Sequence, residues 1–203
     1  FNETTLDGIP VVVTRTGWTG EVGYEVYLRD GSRGDELWER IMAAGKPYHI
    51  RPTGPSDIRR IEAGILNWGA DMTLENNPYE VGLDYLVDKH KADNYIGRDA
   101  LRRIKADGVK QKLVGVEIEG EHIEMNAEKW PVMPFSWFSE DGYLMVGRVT
   151  SAIYSPRLQK NIGYAMVPVE YASLGTILVV NYLARSKTER LLATIVPKPF
   201  VDP

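Results

Sequence analysis

The chain has 203 residues, with 28 acidic against 24 basic side chains for a net charge of -4, and it contains no cysteine. That length suits one large domain or two modest ones. The charge gives no reason to expect a nucleic-acid or acidic-membrane partner, and the lack of cysteine rules out disulfides, a thiol nucleophile and cysteine-ligated metal. No apolar run reaches bilayer-spanning length, and residues 1–13 lack the basic and long apolar regions of a signal peptide, so a cytoplasmic protein is expected.

The first residue is Phe1 rather than Met, and apolar alternation begins almost at once, as in a chain that starts inside a domain. A fragment or ordered remainder of a longer protein is expected. Residues 1–30 read as two strands in a hairpin, the apolar runs being 9–13 and 24–28. Between the runs, Gly17, Gly20 and Gly23 recur every third residue, which permits a tight turn or the close approach of another molecule. In the second run Tyr24, Val26 and Leu28 share one side and Glu25 and Tyr27 the other. Glu25 is a carboxylate in a strand, where acidic residues are depleted, and Trp18 projects from the loop before it. A carboxylate has two acceptor oxygens, so it can hold a ring edge that offers two parallel N–H donors. The same spacing also suits a surface hairpin with a solvated Glu25 and a half-buried Trp18.

Asp30-Gly31-Ser32 reads as a turn, followed by an amphipathic helix over 34–44 with Leu37, Trp38, Ile41 and Met42 on its apolar face. A second helix is expected from Pro55 or Ser56 to Ile65, capped by Thr53 or Ser56, with Ile58, Ile61 and Ile65 as its stripe. Glu62 borders that stripe and needs a partner, for which Arg59 and Arg60 are candidates in an ordinary ion pair. Residues 67–78 are rich in turn formers, and 79–87 read as a strand or a turn followed by one. A charged stretch over 88–93 precedes a helix over 97–104.

From Lys112 the pattern becomes short strands at regular spacing, at 112–118, 130–133, 144–149, 161–167, 176–181 and 191–195. Turn signals such as Glu140-Asp141-Gly142 and Leu174-Gly175 separate them, which argues for a β-barrel or sandwich of about 90 residues. Trp130, Phe135, Trp137 and Phe138 read as core aromatics rather than a stacking platform, because basic residues do not interleave with them. The sequence holds no P-loop, dinucleotide fingerprint, H-E-x-x-H or G-x-S-x-G. His49, His90 and His122 are isolated, so no metal site is expected. Asp84 and Asp88 read as solvated loop residues. The expectation is an α+β chain with a boundary near residues 105–111, dividing it into 1–108 and a barrel over 109–203.

Three stretches, TGWTGEVGYEVYL, PSDIRRIEAGILNWGAD and VGRVTSAIYSPRLQKNIGYAMV, occur in this order. Together they resemble the aminomethyltransferase (glycine cleavage T-protein) family of tetrahydrofolate-dependent enzymes. The resemblance spans essentially the whole chain. It implies the end of a mixed sheet and helix folate-binding domain followed by a C-terminal antiparallel β-barrel, with an N-terminal part of the same protein absent. The family's catalytic Asp would lie on that absent part, so no catalytic residue is assigned here. By the resemblance, Glu25 binds the pterin's 2-amino and N3 edge, while Trp18 and Tyr24 line the tetrahydrofolate site. Ser56 stands where T-proteins carry an Arg. That departure, with TLENNPYEVGLDYLV and NAEKWPV, looks more like the dimethylsulfoniopropionate demethylase branch. A sulfonium's sulfide departs neutral, so such a reaction asks mainly for alignment and water exclusion. The implied activity is methyl transfer from a small sulfonium or related donor to tetrahydrofolate. The alternatives are aminomethyl transfer in the glycine cleavage system and a non-catalytic folate-binding assembly factor. Members of the last group carry a K-G-C-Y-x-G-Q element, which a cysteine-free chain lacks. A third is the folate domain of a flavin-linked dimethylglycine or sarcosine dehydrogenase.

Overall fold

Alternation in the first 30 residues produces three strands rather than two: β1 (Asn2–Leu6), β2 (Ile9–Thr14) and β3 (Glu25–Leu28), in the antiparallel order β1-β2-β3. The computed structural model describes residues 1–87, 94–135, 144–184 and 187–201. β1 was not expected as a separate strand. Its turn to β2 is made by Asp7 and Gly8, both at positive φ. The register sets Val11 opposite Leu28 and Val13 opposite Val26. One face of the sheet therefore gathers Ile9, Val11, Val13 and Leu28 against Leu37 and Ile41 of α1 (Gly34–Gly45). Trp38 is the exception to the predicted apolar face: it is 54% exposed, while Leu37 takes the buried position. The chain divides into two compact units, Phe1–Arg59 and Arg60–Asp202.

α2 runs over Asp57–Glu62, shorter than the predicted helix to Ile65. Its stop is made by Gly64, at φ +75, with bonds from Gly64 N–H to the Ile61 carbonyl and from Ile65 N–H to the Arg60 carbonyl. That double closure is the Schellman pattern, which glycine adopts without steric cost. The predicted strand over 79–87 is absent. Pro78–Val81 forms the short helix α3, and Asp84–Leu86 a tight turn. Asn77 accepts from the Tyr79 and Glu80 N–H groups while the Glu80 side chain accepts from Asn77 N–H, and Pro78 occupies the first turn. This reciprocal cap, with proline where no donor is needed, commits the segment to helix. α4 (Arg98–Asp107) covers the predicted 97–104 helix and ends at Gly108, φ +80.

The second half forms a closed barrel in the order β4-β7-β6-β5-β8-β9, with β9 pairing back to β4. The strands are β4 (Gln111–Ile118), β5 (Trp130–Pro134), β6 (Gly147–Ser155), β7 (Lys160–Pro168), β8 (Ile177–Ala184) and β9 (Lys187–Val196). Val114, Val116, Trp130, Val132, Ala165, Val167, Leu178 and Ile195 fill its interior. β7 is apolar on both sides. Ala165 and Val167 face the barrel core, whereas Ile162, Tyr164 and Met166 form a second core with Ile61, Val81 and Leu113. That two-sided burial explains the nearly unbroken apolar run in this strand. β6 lies later than the predicted 144–149. It carries a bulge between Val149 and Ser151, and its buried centre holds the polar residues Thr150 and Ser151. Trp130 is buried as expected, Phe135 is 48% exposed, and Trp137, Phe138, His90, Asp88 and the 140–142 turn lie outside the described residues.

Candidate functional site

β2 and β3 place Thr14 directly opposite Glu25. Side chains two apart on a strand share a face, so Tyr27 projects beside Glu25, and Thr16 continues the line of Thr14 into the loop. Three hydroxyls converge on one carboxylate oxygen. Glu25 Oε2 accepts hydrogen bonds from Thr16 and, at 2.9 Å, from Tyr27, and the Thr14 hydroxyl lies 3.5 Å from the same oxygen. The Thr14 and Thr16 hydroxyl oxygens are 2.5 Å apart. Glu25 is exposed, and its other oxygen, Oε1, has no bonding partner among the described residues. The hydrogen bonds, Thr16 first and Tyr27 next, hold the carboxyl below its ordinary pKa against an opposing desolvation. The reciprocal effect raises the Tyr27 phenol.

Tyr24 is 65% exposed, with the Arg15 guanidinium 5.6 Å from its ring centroid. Trp18 is half-buried in the loop, with its indole nitrogen shielded from solvent. In the same unit Arg59 lies 3.6 Å from Glu21, and the Ser56 hydroxyl accepts the Arg59 N–H as the cap of α2. The sequence reading found Glu25 but not Thr14, Thr16 or the role of Tyr27. Their signal, threonines two apart facing a Glu-x-Tyr, becomes legible only once the register is known.

The second unit holds a buried polar network. Arg60 and Asp71 pair at 2.9 Å, with side chains 1% and 0% exposed. Asp71 Oδ1 also accepts from the Thr150 and Ser151 hydroxyls, and Oδ2 from the Asn67 N–H. Arg60 donates in turn to Ser151. Glu62, for which a partner was expected, accepts from Ser155 at 2.5 Å. Hollows of about 180, 380 and 390 Å³ open in this unit, and none of the three is lined by Glu25, Trp18 or Tyr24. No group of three or more metal-ligating side chains clusters among the described residues. No helix among them is long and apolar enough to cross a membrane. His49 sits at positive φ in a turn, and His122 stacks on Tyr154 with ring centroids 3.5 Å apart.

Comparison with known proteins gives a consistent result. Residues 1–91 match the GCVT N-terminal domain and residues 111–202 the glycine cleavage T-protein C-terminal barrel domain. The chain is 37% identical over 201 residues to an aminomethyltransferase of Alkaliphilus oremlandii (strain OhILAs), a match covering 98% of this chain and 50% of that protein. It is also 37% identical over 193 residues to an aminomethyltransferase of Symbiobacterium thermophilum, covering 94% and 49%. The chain thus spans about half the length of the curated relatives it matches. In fold it is similar to the crystal structure of glycine cleavage system aminomethyltransferase T from Bartonella henselae. The TM-score is 0.76 at 24% identity, covering 93% of this chain and 49% of that one.

Proposed function

The chain is built of GCVT-family domains, and on that premise we propose that it belongs to a tetrahydrofolate-dependent one-carbon transferase of the aminomethyltransferase kind. The observation that carries the reading is the state of Glu25: ionised, exposed, with one oxygen tied to hydroxyls and the other open. This suits a pterin edge, which offers N–H donors to a carboxylate through charge-assisted bonds. The residues present therefore fit tetrahydrofolate. Glu25 would accept from the ring, and Trp18 and Tyr24 would lie along it. When bound, the folate supplies the nucleophilic nitrogen that takes up the one-carbon unit. Glu25 holds no proton to give at neutral pH, so its part is to orient and anchor. The site is completed in a protein of the relatives' full length, where the catalytic acid or base and the donor-binding wall would come from residues outside this chain. The division into 1–108 and 109–203 is part of the same reading.

Aminomethyl transfer is favoured over sulfonium demethylation by the names of relatives such as those from Alkaliphilus oremlandii and Symbiobacterium thermophilum, which are aminomethyltransferases. One observation favours the second reading. At the head of α2, where T-proteins place an Arg, this chain has Ser56 serving as a helix cap. Calorimetry with 5-methyltetrahydrofolate on the full-length protein tests the common part. Glu25→Gln should weaken binding at least tenfold, and equal affinities would remove Glu25 from the site. Assay of the same protein against aminomethylated carrier and against sulfonium donors then separates the two reactions. Folate-dependent ammonia release marks the first, and release of a neutral sulfide marks the second.

A further inference from the structure

Proton accounting at Glu25 yields more than a binding carboxylate. Each hydroxyl carries one proton to donate and can accept through its lone pairs. Thr16 spends its proton on Glu25 Oε2, so the 2.5 Å contact between Thr14 and Thr16 must be a donation from Thr14 to Thr16. Thr14 cannot also donate across its 3.5 Å distance to Glu25. The result is a directed chain, Thr14 to Thr16 to Glu25, met from the other side by Tyr27. Hydrogen bonds in series that end on an anion reinforce one another. Oε2 thus has two donors for its two lone pairs, and Oε1 has none.

We infer that Thr16 and Tyr27 are positioning residues, which saturate Oε2 and so select Oε1 as the oxygen that receives a ligand's N–H donors. This rests on the folate reading for the ligand's identity but not for the geometry. It also departs from the simplest picture, in which a pair of donors meets a pair of free oxygens. Here a two-donor edge meets one open oxygen, and its second donor must fork onto Oε1 or compete with the Tyr27 hydroxyl. Few other charges bear on Glu25. On the same sheet face Glu3 and Arg29 neutralise one another at 2.5 Å, and Arg15 lies over Tyr24.

The decisive measurement needs no ligand. Carbon-detected NMR on the isotopically labelled chain follows the Glu25 carboxyl through acid titration. The wild-type midpoint should lie below that of an ordinary glutamate, and Thr16→Val should move it up by more than Thr14→Val does. A midpoint unchanged by Thr16→Val and by Tyr27→Phe overturns the inference. A second arm measures 5-methyltetrahydrofolate affinity on the full-length protein, where Thr16→Val should weaken binding about three- to tenfold. Thr16→Ser, which restores the donor, should recover it. If Glu25→Gln weakens binding but Thr16→Val and Tyr27→Phe leave it intact, the positioning role fails while the folate reading stands. If Glu25→Gln has no effect although the midpoints shift as expected, the folate reading fails and the hydroxyl assignment stands.

Discussion

Arg60 and Asp71, eleven residues apart in the chain, form an ion pair with both side chains sealed from solvent. Such a pair is stable only if the remaining donors and acceptors are also met. Asp71 meets that condition through Thr150, Ser151 and the Asn67 N–H, and Arg60 through Ser151. The bulge in β6 is what makes this possible, since the extra residue lets adjacent hydroxyls reach the same Asp71 oxygen. Breaking the pair from one side strands a buried charge. Arg60→Met should destabilise the second unit by about 3–5 kcal/mol in urea unfolding. Arg60→Met with Asp71→Leu should cost less than the sum of the two single changes, because no charge is left behind.

The phenol of Tyr164 donates to the Ile61 carbonyl at 2.9 Å and is pushed well above the ordinary tyrosine value, by burial first and by the Asp71 charge second, with Arg60 opposing. The unfolded chain releases this proton near the ordinary value of 10.0, whereas the folded chain retains it. Stability from this group is therefore complete below pH 10 and declines as the pH rises above it. Lys198, whose ammonium lies 5.7 Å from the Tyr164 ring centroid, works in the opposite sense because burial lowers its pKa. Comparing wild type with Tyr164→Phe leaves Lys198 in both proteins. The variant should lose about 1 kcal/mol at pH 7 and show a shallower loss of stability above pH 10.

Gly163 lies on β7 where the barrel wall leaves no room. A Cβ there would collide with the Ser151 carbonyl oxygen and lie 2.9 Å from the Ala152 Cβ. Gly163→Ala should lower stability by about 1–3 kcal/mol, read as a fall in melting temperature. Gly175→Ala tests a different effect, since nothing surrounds that position but its φ is +81. Its cost should come from backbone strain alone and be smaller.

Asn77 caps α3 through two backbone N–H groups. Asn77→Ala should cost about 1 kcal/mol, and Asn77→Gly only a few tenths, because glycine suits the cap position without needing the side chain. Equal losses from the two would show that the Glu80 half of the box carries the helix start instead.

Most barrel strands were legible because they alternate apolar residues toward one interior, and β7 because its apolar run is nearly unbroken; both are local properties. The 79–87 segment was misread because Tyr79, Val81, Leu83 and Tyr85 alternate too. The deciding feature was the Asn77-Pro78-x-Glu80 cap, which outweighs a short stretch of period two. β6 was placed early because Thr150 and Ser151 look like strand-ending polar residues. Their burial depends on Asp71, about 80 residues away, and no local pattern reports that. At the candidate site Glu25 stood out as an acid in a strand. The hydroxyls around it did not, because threonine and tyrosine are ordinary in strands and their convergence depends on pairing.

Closure of β9 onto β4 has one further consequence, which concerns association between chains rather than catalysis. A barrel whose last strand meets its first has no selvedge to which a foreign strand can be stitched. In the described residues the loose hems of fabric lie at β1 and β3 of the small sheet. β1, with the sequence Asn-Glu-Thr-Thr-Leu, is mostly polar and has a glutamate within it, so it resists recruitment. The four-residue β3 is too short to template a long ladder but shows Val26 and Tyr27 to water.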